Sequence, residues 1–462
     1  MFNKISYLLF IILPSSCWCN DNNLVIPYNN YKIKLFILII FIFCYVLVIL
    51  EEFLKIKKSK VTILTSTLMW LLIFSTSFDK THLNELVKTF ILEYCELFLF
   101  LFVTMVYINT IKHFGVLNYI QSYIVYLNLS YRQIFWFTGV VSFFMSPIAD
   151  NLTTALLMGS VILSVDKYNY SFVNLSFINI IVAANAGGAF SPFGDITTLM
   201  IWQKGILHFY DFFYIFLPSF VNFMIPSIII SKYLPLGSPQ KSMLKVSRKL
   251  DTATKLLLLL FVFTIFLTIV LQTALNIPTV IGMMTGLSLL QVFEYFNNKY
   301  NEYKLNTNNQ IHNIEWETLL FFYGIMLCVG CLSTVGILND ISAFIYLKLG
   351  GYIVNPVYTA LPGNFIIGIL SAIIDNIPVT FAVINMNHEM SVGQWLLVTL
   401  AVGTGGSLFS IGSAAGIALM GQASKAYTFF SHLKFTWAIF LGYILGLLTH
   451  IILNNKLFFL FC

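Results

Sequence analysis

Apolar stretches long enough to cross a bilayer recur along the whole chain, and this constrains every other reading. Crossing the hydrocarbon takes about 20 apolar residues as a helix. Inside lipid every backbone polar group must find its partner within the protein, so runs of this length are read as helices. Full spans are expected near 33–50, 61–78, 93–111, 172–203, 212–231, 254–273, 278–293, 318–338, 392–423 and 435–452. Two further runs, 134–165 and 352–385, are interrupted by Pro, Asp and Asn. They predict re-entrant hairpins that enter and leave on one side. Only 10% of the residues are charged and 58% are hydrophobic, whereas soluble domains run nearer a quarter charged. A soluble enzyme, a disordered chain and a nucleic-acid binder are excluded. The seven Cys show no framework spacing and read as reduced thiols.

Lys4, the apolar run Ile5–Leu13 and then Pro14-Ser15-Ser16-Cys17-Trp18-Cys19 resemble a secretory signal, too short to span. Residues 1–19 are therefore expected to be a signal peptide. With the mature N-terminus outside, the cytoplasmic loops carry sixteen Lys and Arg and the external ones seven. The formal charge of +6 thus reflects membrane orientation, following the positive-inside rule, rather than polyanion binding. Turning both hairpins into full spans would place the five bases of 232–253 outside, so the hairpin reading is favoured.

Two polar patches occur twice. Asp150-Asn151-Leu152-Thr153-Thr154 is echoed by Asp375-Asn376-Ile377-Pro378-Val379-Thr380, with Ser146 and Ser371 each four residues ahead of the Asp. Gly187-Gly188 followed by Ser191 is echoed by Gly405-Gly406 followed by Ser410. The offsets, 225 and 218 residues, are nearly equal and the order is the same. The expected fold is an all-α polytopic membrane protein of two repeats, 20–250 and 251–462. Each holds five transmembrane helices plus a re-entrant hairpin. Five is odd, so the second repeat enters the membrane inverted, an arrangement of secondary transporters. The two runs holding the Gly pairs exceed the length of a straight span, which predicts helices broken at the glycines, beside the ion site.

An ionised carboxylate at the bilayer centre costs roughly 2.5–3.5 kcal/mol on insertion scales. Asp150, Asp195 and Asp375 sit in apolar stretches with no Lys or Arg close in sequence. A bound cation or proton would offset that cost. Na⁺ is a hard ion that takes oxygen ligands. The side chains of Asp150, Asn151, Thr154, Asp375, Asn376, Ser146 and Ser371 supply them, and Asp195 is added although its counterpart by offset is Ser413. Gly187, Gly188, Gly405 and Gly406, with Pro147, Pro192 and Pro378, are expected to unwind helix and expose carbonyls. Such backbone is tolerated at that depth only where it lines a protein cavity. Asp150 and Asp375 come first as shared cation and proton sites and Asp195 next. No cofactor is expected.

At these residues the sequence resembles the NhaD-type sodium/proton antiporters of the ion transporter superfamily. The stretches carrying the resemblance are SPIADNLTTALLMG (146–159), NAGGAFSPFGDITTLMIW (185–202), DNIPVTFAV (375–383) and GTGGSLFSIGSAAGIALMG (403–421). The resemblance implies efflux of Na⁺ or Li⁺ in exchange for protons across a bacterial inner membrane. It also implies a homodimer whose protomers each join a scaffold to a moving transport domain. In the superfamily's dicarboxylate carriers the hairpin tips carry Ser-Asn-Thr. Here they read Asp150-Asn151-Leu152 and Asp375-Asn376-Ile377, which puts a titratable group at each tip. A sodium-coupled organic anion symporter is the nearest alternative, yet no Arg lies in the motifs. An intramembrane aspartyl protease, suggested by Gly194-Asp195, has no use for the duplicated Gly-Gly. A channel suits broken helices and hairpins less well than alternating access does.

Overall fold

The computed structural model describes residues 31–54, 56–77, 79–116, 119, 129–239, 251–300, 305–348, 350, 358–386 and 388–460. The expected signal segment lies outside these. Among the described residues the chain is helical and has no β-strand. The principal helices are α1 (Tyr31–Ile49), α2 (Lys58–Thr76), α3 (Lys80–His113), α4 (Tyr131–Ala149), α5 (Asn151–Asp166), α6 (Tyr170–Ala189), α7 (Ile196–Gln203) and α8 (Phe216–Ile230). There follow α9 (Thr252–Leu275), α10 (Thr279–Tyr300), α11 (Trp316–Thr334), α12 (Leu361–Leu370), α13 (Asn376–Asn385), α14 (Val392–Gly405), α15 (Ala414–Gln422) and α16 (Thr436–Leu453). Nine helical segments among the described residues are long and apolar enough to cross a membrane. They correspond to nine of the ten expected spans. The tenth, 392–423, is divided into α14 and α15, neither of which is long enough alone. Many apolar side chains of α1, α2 and α9, such as Phe43, Leu64, Leu259 and Phe266, are exposed, which suits a lipid environment. The protein is a multi-pass membrane protein.

Where the helices differ from expectation, the cause is local. The span expected at 93–111 is the end of a 34-residue helix, α3. At 1.5 Å per residue α3 is about 51 Å long, well beyond the hydrocarbon thickness. Its first turns are polar and carry Asp79 ahead of them, whose carboxylate accepts from Thr81 Oγ1 at 2.7 Å and His82 N at 3.0 Å. A π-helix at Ala343–Lys348 has no sequence signal.

Both interrupted runs fold as helix pairs. α4 starts at a capping box, in which Ser130 and Gln133 each satisfy the other's backbone N–H. It stops at Asp150, whose φ of 57° no helix interior accepts. The chain then turns into α5, and the hydroxyl of Tyr131, the first residue of α4, donates to Asp166, the last of α5, at 2.7 Å. The two outer ends therefore meet, and α4 and α5 form a hairpin with Asp150-Asn151 at its tip. In the later run α12 ends at Leu370, a turn follows, and α13 starts at Asn376, directly after Asp375.

The chain forms two compact units, each drawn from both sequence halves. One comprises the described residues up to Tyr94, Trp316–Gly363 and Phe381–Glu389. Within it α2 packs along α11. Trp70 Nε1 donates to the Leu327 carbonyl at 3.0 Å, and Gly324 lets the two backbones close at Thr62. The other comprises Cys95–Glu315, Asn364–Thr380 and the described residues from Met390. Within it α6 is buried nearly throughout, and its buried amides Asn179 and Asn185 are hydrogen-bonded. α4, α5, α8 and α14 pack around it, and α15 packs on α5. Tyr107 ties α3 to α9 and α10, donating to the Gly286 carbonyl at 2.6 Å beside Thr264 Oγ1.

Candidate ion-binding site

Two helices break inside the second unit. α6 ends at Ala189, and the chain is non-helical through Pro192 until α7 begins after Asp195. α14 ends at Gly405, and turns follow until α15 begins after Ser413. Asp195 and Ser413 occupy the same role 218 residues apart. Asp195 caps α7, accepting from Thr197 N at 3.3 Å, and Ser413 caps α15, accepting from Gly416 N at 3.4 Å.

The glycine pairs do not unwind the helices themselves. Gly187 and Gly188 lie in the last turn of α6, and Gly405 closes α14. Their missing Cβ is used for close approach. Pro147 has no N–H to offer the Phe143 carbonyl one turn earlier. Gly187 sits against that carbonyl, and a Cβ at 187 would collide with it. Gly405 meets the Gly368 carbonyl in the same way. There the residue one turn on, Ala372, bonds the Ile369 carbonyl instead, leaving that of Gly368 without its helical partner from Ala372. The second glycine of each pair faces the break. A Cβ on Gly188 would lie 2.6 Å from Gly194 O, and one on Gly406 2.8 Å from Gly412 O. A serine hydroxyl locks each hairpin to its broken helix: Ser146 donates to the Ala184 carbonyl at 2.6 Å, Ser371 to that of Val402 at 2.8 Å. These paired contacts keep the offsets of 225 and 218 residues found in the sequence.

The hairpin tips converge on Asp195, which is 3% exposed. Asn151 Nδ2 donates to Asp195 Oδ2 at 3.1 Å, and Asn376 Nδ2 donates to the same oxygen at 2.8 Å. Asn151 Nδ2 also reaches Asn185 Oδ1 at 3.1 Å, while Asn185 Nδ2 donates to Ser413 Oγ at 3.1 Å. One carboxylate, three amides and a hydroxyl thus join both tips and both breaks. Among the described residues no Lys, Arg or His forms an ion pair with Asp195, and no cluster of three or more His, Cys, Asp or Glu occurs. A single carboxylate among neutral amides and hydroxyls carries one negative charge, which suits a monovalent hard cation better than a divalent one.

The remaining expected residues fall around this centre. Asp150 turns its carboxylate onto its own helix, accepting from Thr153 N at 2.7 Å and Thr153 Oγ1 at 3.0 Å. Asp375 directly precedes Asn376 at the other tip and is partly buried. The Thr154 hydroxyl is buried with no hydrogen-bond partner. Ser191 donates to the Pro147 carbonyl at 3.0 Å and so tethers the first break to α4. Ser410 contacts Met420 Sδ at 3.5 Å. Sequence reasoning missed Asn185, Ser413 and Thr197. Thr197 has a buried hydroxyl without a partner. Asn185 could have been found as an amide inside an apolar run, two residues before the glycine pair. Ser413 could have been found as the offset counterpart of Asp195.

An all-helical membrane protein with paired helix breaks around a buried carboxylate has the architecture of a secondary transporter. The family model described as citrate transporter matches residues 45–403. The chain is 41% identical to the Na⁺/H⁺ antiporter NhaD of Vibrio cholerae, over 99% of this chain and 100% of the relative. It is 42% identical to NhaD of Alkalimonas amylolytica over 91% of each, and 44% identical to NhaD of Vibrio parahaemolyticus over 84% of this chain and 98% of that one. The chain belongs to the NhaD family of Na⁺/H⁺ antiporters.

Proposed function

We propose that the protein expels cytoplasmic Na⁺, or Li⁺, in exchange for external H⁺, with Asp195 as the carboxylate the two ions share. The observation that carries this reading is the convergence of Asn151 and Asn376, one from each hairpin tip, on Asp195 Oδ2. Na⁺ binds the ionised carboxylate together with amide and hydroxyl oxygens drawn from Asn151, Asn185, Asn376 and Ser413, and from the unpartnered hydroxyls of Thr154 and Thr197. A proton on Asp195 removes the charge that holds Na⁺. Either occupant neutralises the site, and crossing with a bare carboxylate is costly. That cost couples the two fluxes. Asp150 and Asp375, next to the tip amides, fix the tips and add negative potential along the cation's route. At one-to-one exchange a pH difference of one unit, about 1.36 kcal/mol per proton, sustains roughly a tenfold Na⁺ gradient.

The α4–α5 hairpin is re-entrant and opens to the cytoplasm, and the α12–α13 pair opens to the outside. The halves are inverted repeats. The recurrence of the Ser146 and Ser371 bonds, and of the Gly187 and Gly405 contacts, at the sequence offsets supports this. The mature N-terminus faces outward, on the strength of the basic loops. The protein works as a homodimer in a bacterial inner membrane, as the family resemblance implies. A citrate-type anion symporter is disfavoured, because among the described residues no cationic side chain pairs with Asp195.

The test uses everted vesicles from cells lacking their own sodium antiporters. Respiration acidifies the vesicles, and Na⁺, Li⁺ or K⁺ is added. Collapse of the pH gradient by Na⁺ or Li⁺, absent in Asp195→Asn, is the expected result. Citrate-dependent Na⁺ uptake without cation-dependent proton flux would replace this reading with symport.

A further inference from the structure

The second helix break is braced by an imidazole and a hydroxyl from the segment beyond it. His432, in the short helix Phe429–Leu433, is fully buried. Its Nε2 lies 2.9 Å from the Ser407 carbonyl, and its Nδ1 lies 2.7 Å from the Tyr427 hydroxyl. A carbonyl oxygen only accepts, so Nε2 carries the ring proton and donates it there. Nδ1 then accepts from Tyr427, which is also fully buried. Four residues on, Thr436 Oγ1 donates to the next carbonyl, that of Leu408, at 2.9 Å. Two successive carbonyls of the break that follows Gly405 are thus held by side chains of the segment beyond it. That break leads to Ser413, whose hydroxyl accepts from Asn185.

By the offset of 218 residues the first-half counterparts of His432 and Thr436 are Tyr214 and Pro218. Tyr214 is half exposed and Pro218 has no hydroxyl. The first break is held differently, by Thr198 Oγ1, which donates to the Ser191 carbonyl at 2.8 Å.

We propose that His432 is a positioning residue for the cation: with Tyr427 and Thr436 it fixes the second break and hence the place of Ser413. It acts through the backbone and carries no transported proton. The inference rests on the site centred on Asp195.

The experiment measures cation-dependent proton flux in everted vesicles across a range of pH for H432F, H432Q, Y427F and T436V, with D195N alongside. Protein amount and thermal unfolding are measured on each. Phe cannot donate to the Ser407 carbonyl, whereas the Gln amide can. Loss of a buried hydrogen bond that strands its partner is worth about a tenfold change in an equilibrium constant. H432F is expected to raise the Na⁺ concentration for half-maximal exchange about tenfold, with the maximal rate within about twofold. H432Q is expected to return it to within about threefold of the starting protein with its pH profile unmoved. Y427F and T436V are expected to raise it severalfold, and these two carry the test if H432F does not accumulate. Unchanged half-saturation in every variant that folds overturns the proposal. So does a pH profile displaced in H432Q, because the ring would then be exchanging a proton. If D195N keeps Na⁺-driven exchange, the site reading itself fails; if D195N is inactive and the His432 series is normal, only the brace fails.

Discussion

Replacing Gly187 by Ala puts a methyl group where the Phe143 carbonyl stands, and the same replacement at Gly405 meets the Gly368 carbonyl. Neither obstacle is the flexible end of a side chain, so hairpin and broken helix must separate. Overpacking of this kind costs about 1–3 kcal/mol. Ala also gains about 1 kcal/mol over Gly in a helix, which partly masks the cost. Gly421 near the end of α15 isolates that gain, because a Cβ there meets nothing within 4 Å. Thermal unfolding of the three purified variants in one detergent separates the effects. At roughly 2–4 °C per kcal/mol for domains of 150–250 residues, and less for a longer chain, G187A and G405A should each unfold several degrees below G421A. Exchange should fall with them, since Asn185 lies two residues before Gly187 and Ser371 bonds the α14 backbone three residues before Gly405. If G187A and G405A match G421A in both stability and exchange, the close contacts do not hold the site together and the packing argument fails.

Three other outcomes follow from the geometry. D150A loses the Thr153 cap and must hold a φ of 57° without a polar side chain, a cost of about 2–3 kcal/mol that D150N should largely avoid, read from their unfolding midpoints. N151A and N376A each remove a tip amide bonded to Asp195 Oδ2, so each should raise the Na⁺ concentration for half-maximal exchange about tenfold, measured in everted vesicles. Their double variant should be non-additive, because both amides serve one oxygen. At the start of α3 the Thr81 hydroxyl, and then the His82 N–H, hold the Asp79 carboxyl below its usual range. The folded value is the lower one, so this cap is in place above the ordinary carboxylate range and is lost as pH falls through the folded value. The protection of amides 80–84 against hydrogen exchange, taken relative to their intrinsic rates at each pH, should therefore fall in acid, and D79N should abolish that dependence.

Much of this arrangement was legible in the chain because membrane crossing and duplication both leave periodic marks. Nine spans, the interruption at Asp150 and the two broken runs follow from apolar length, breakers and repeated motifs. The role of the glycine pairs was not legible. A Gly-Gly can release a helix or admit a neighbour, and only the Phe143 and Gly368 carbonyls show that these admit one. Sequence and structure draw attention to different carboxylates, since both tip amides bond Asp195. The repeat singled out Asp150 and Asp375, since duplication was the signal, while Asp195 stands where the second half has Ser413. Repetition marks what the two halves share and does not report a group present in one half alone. The two compact units each combine both halves, which is a matter of tertiary packing that sequence spacing does not encode.

The central claim is that Asp195 carries both ions. The most direct measurement is Na⁺- and Li⁺-induced collapse of the pH gradient in everted vesicles holding D195N at the amount of the unaltered protein, with D150N and D375N alongside. The account expects no response in D195N at any pH from 6.5 to 9.5 (on the order of the range in which such exchange is assayed) and reduced but measurable exchange in the other two. Na⁺-dependent proton flux that survives in D195N would contradict it.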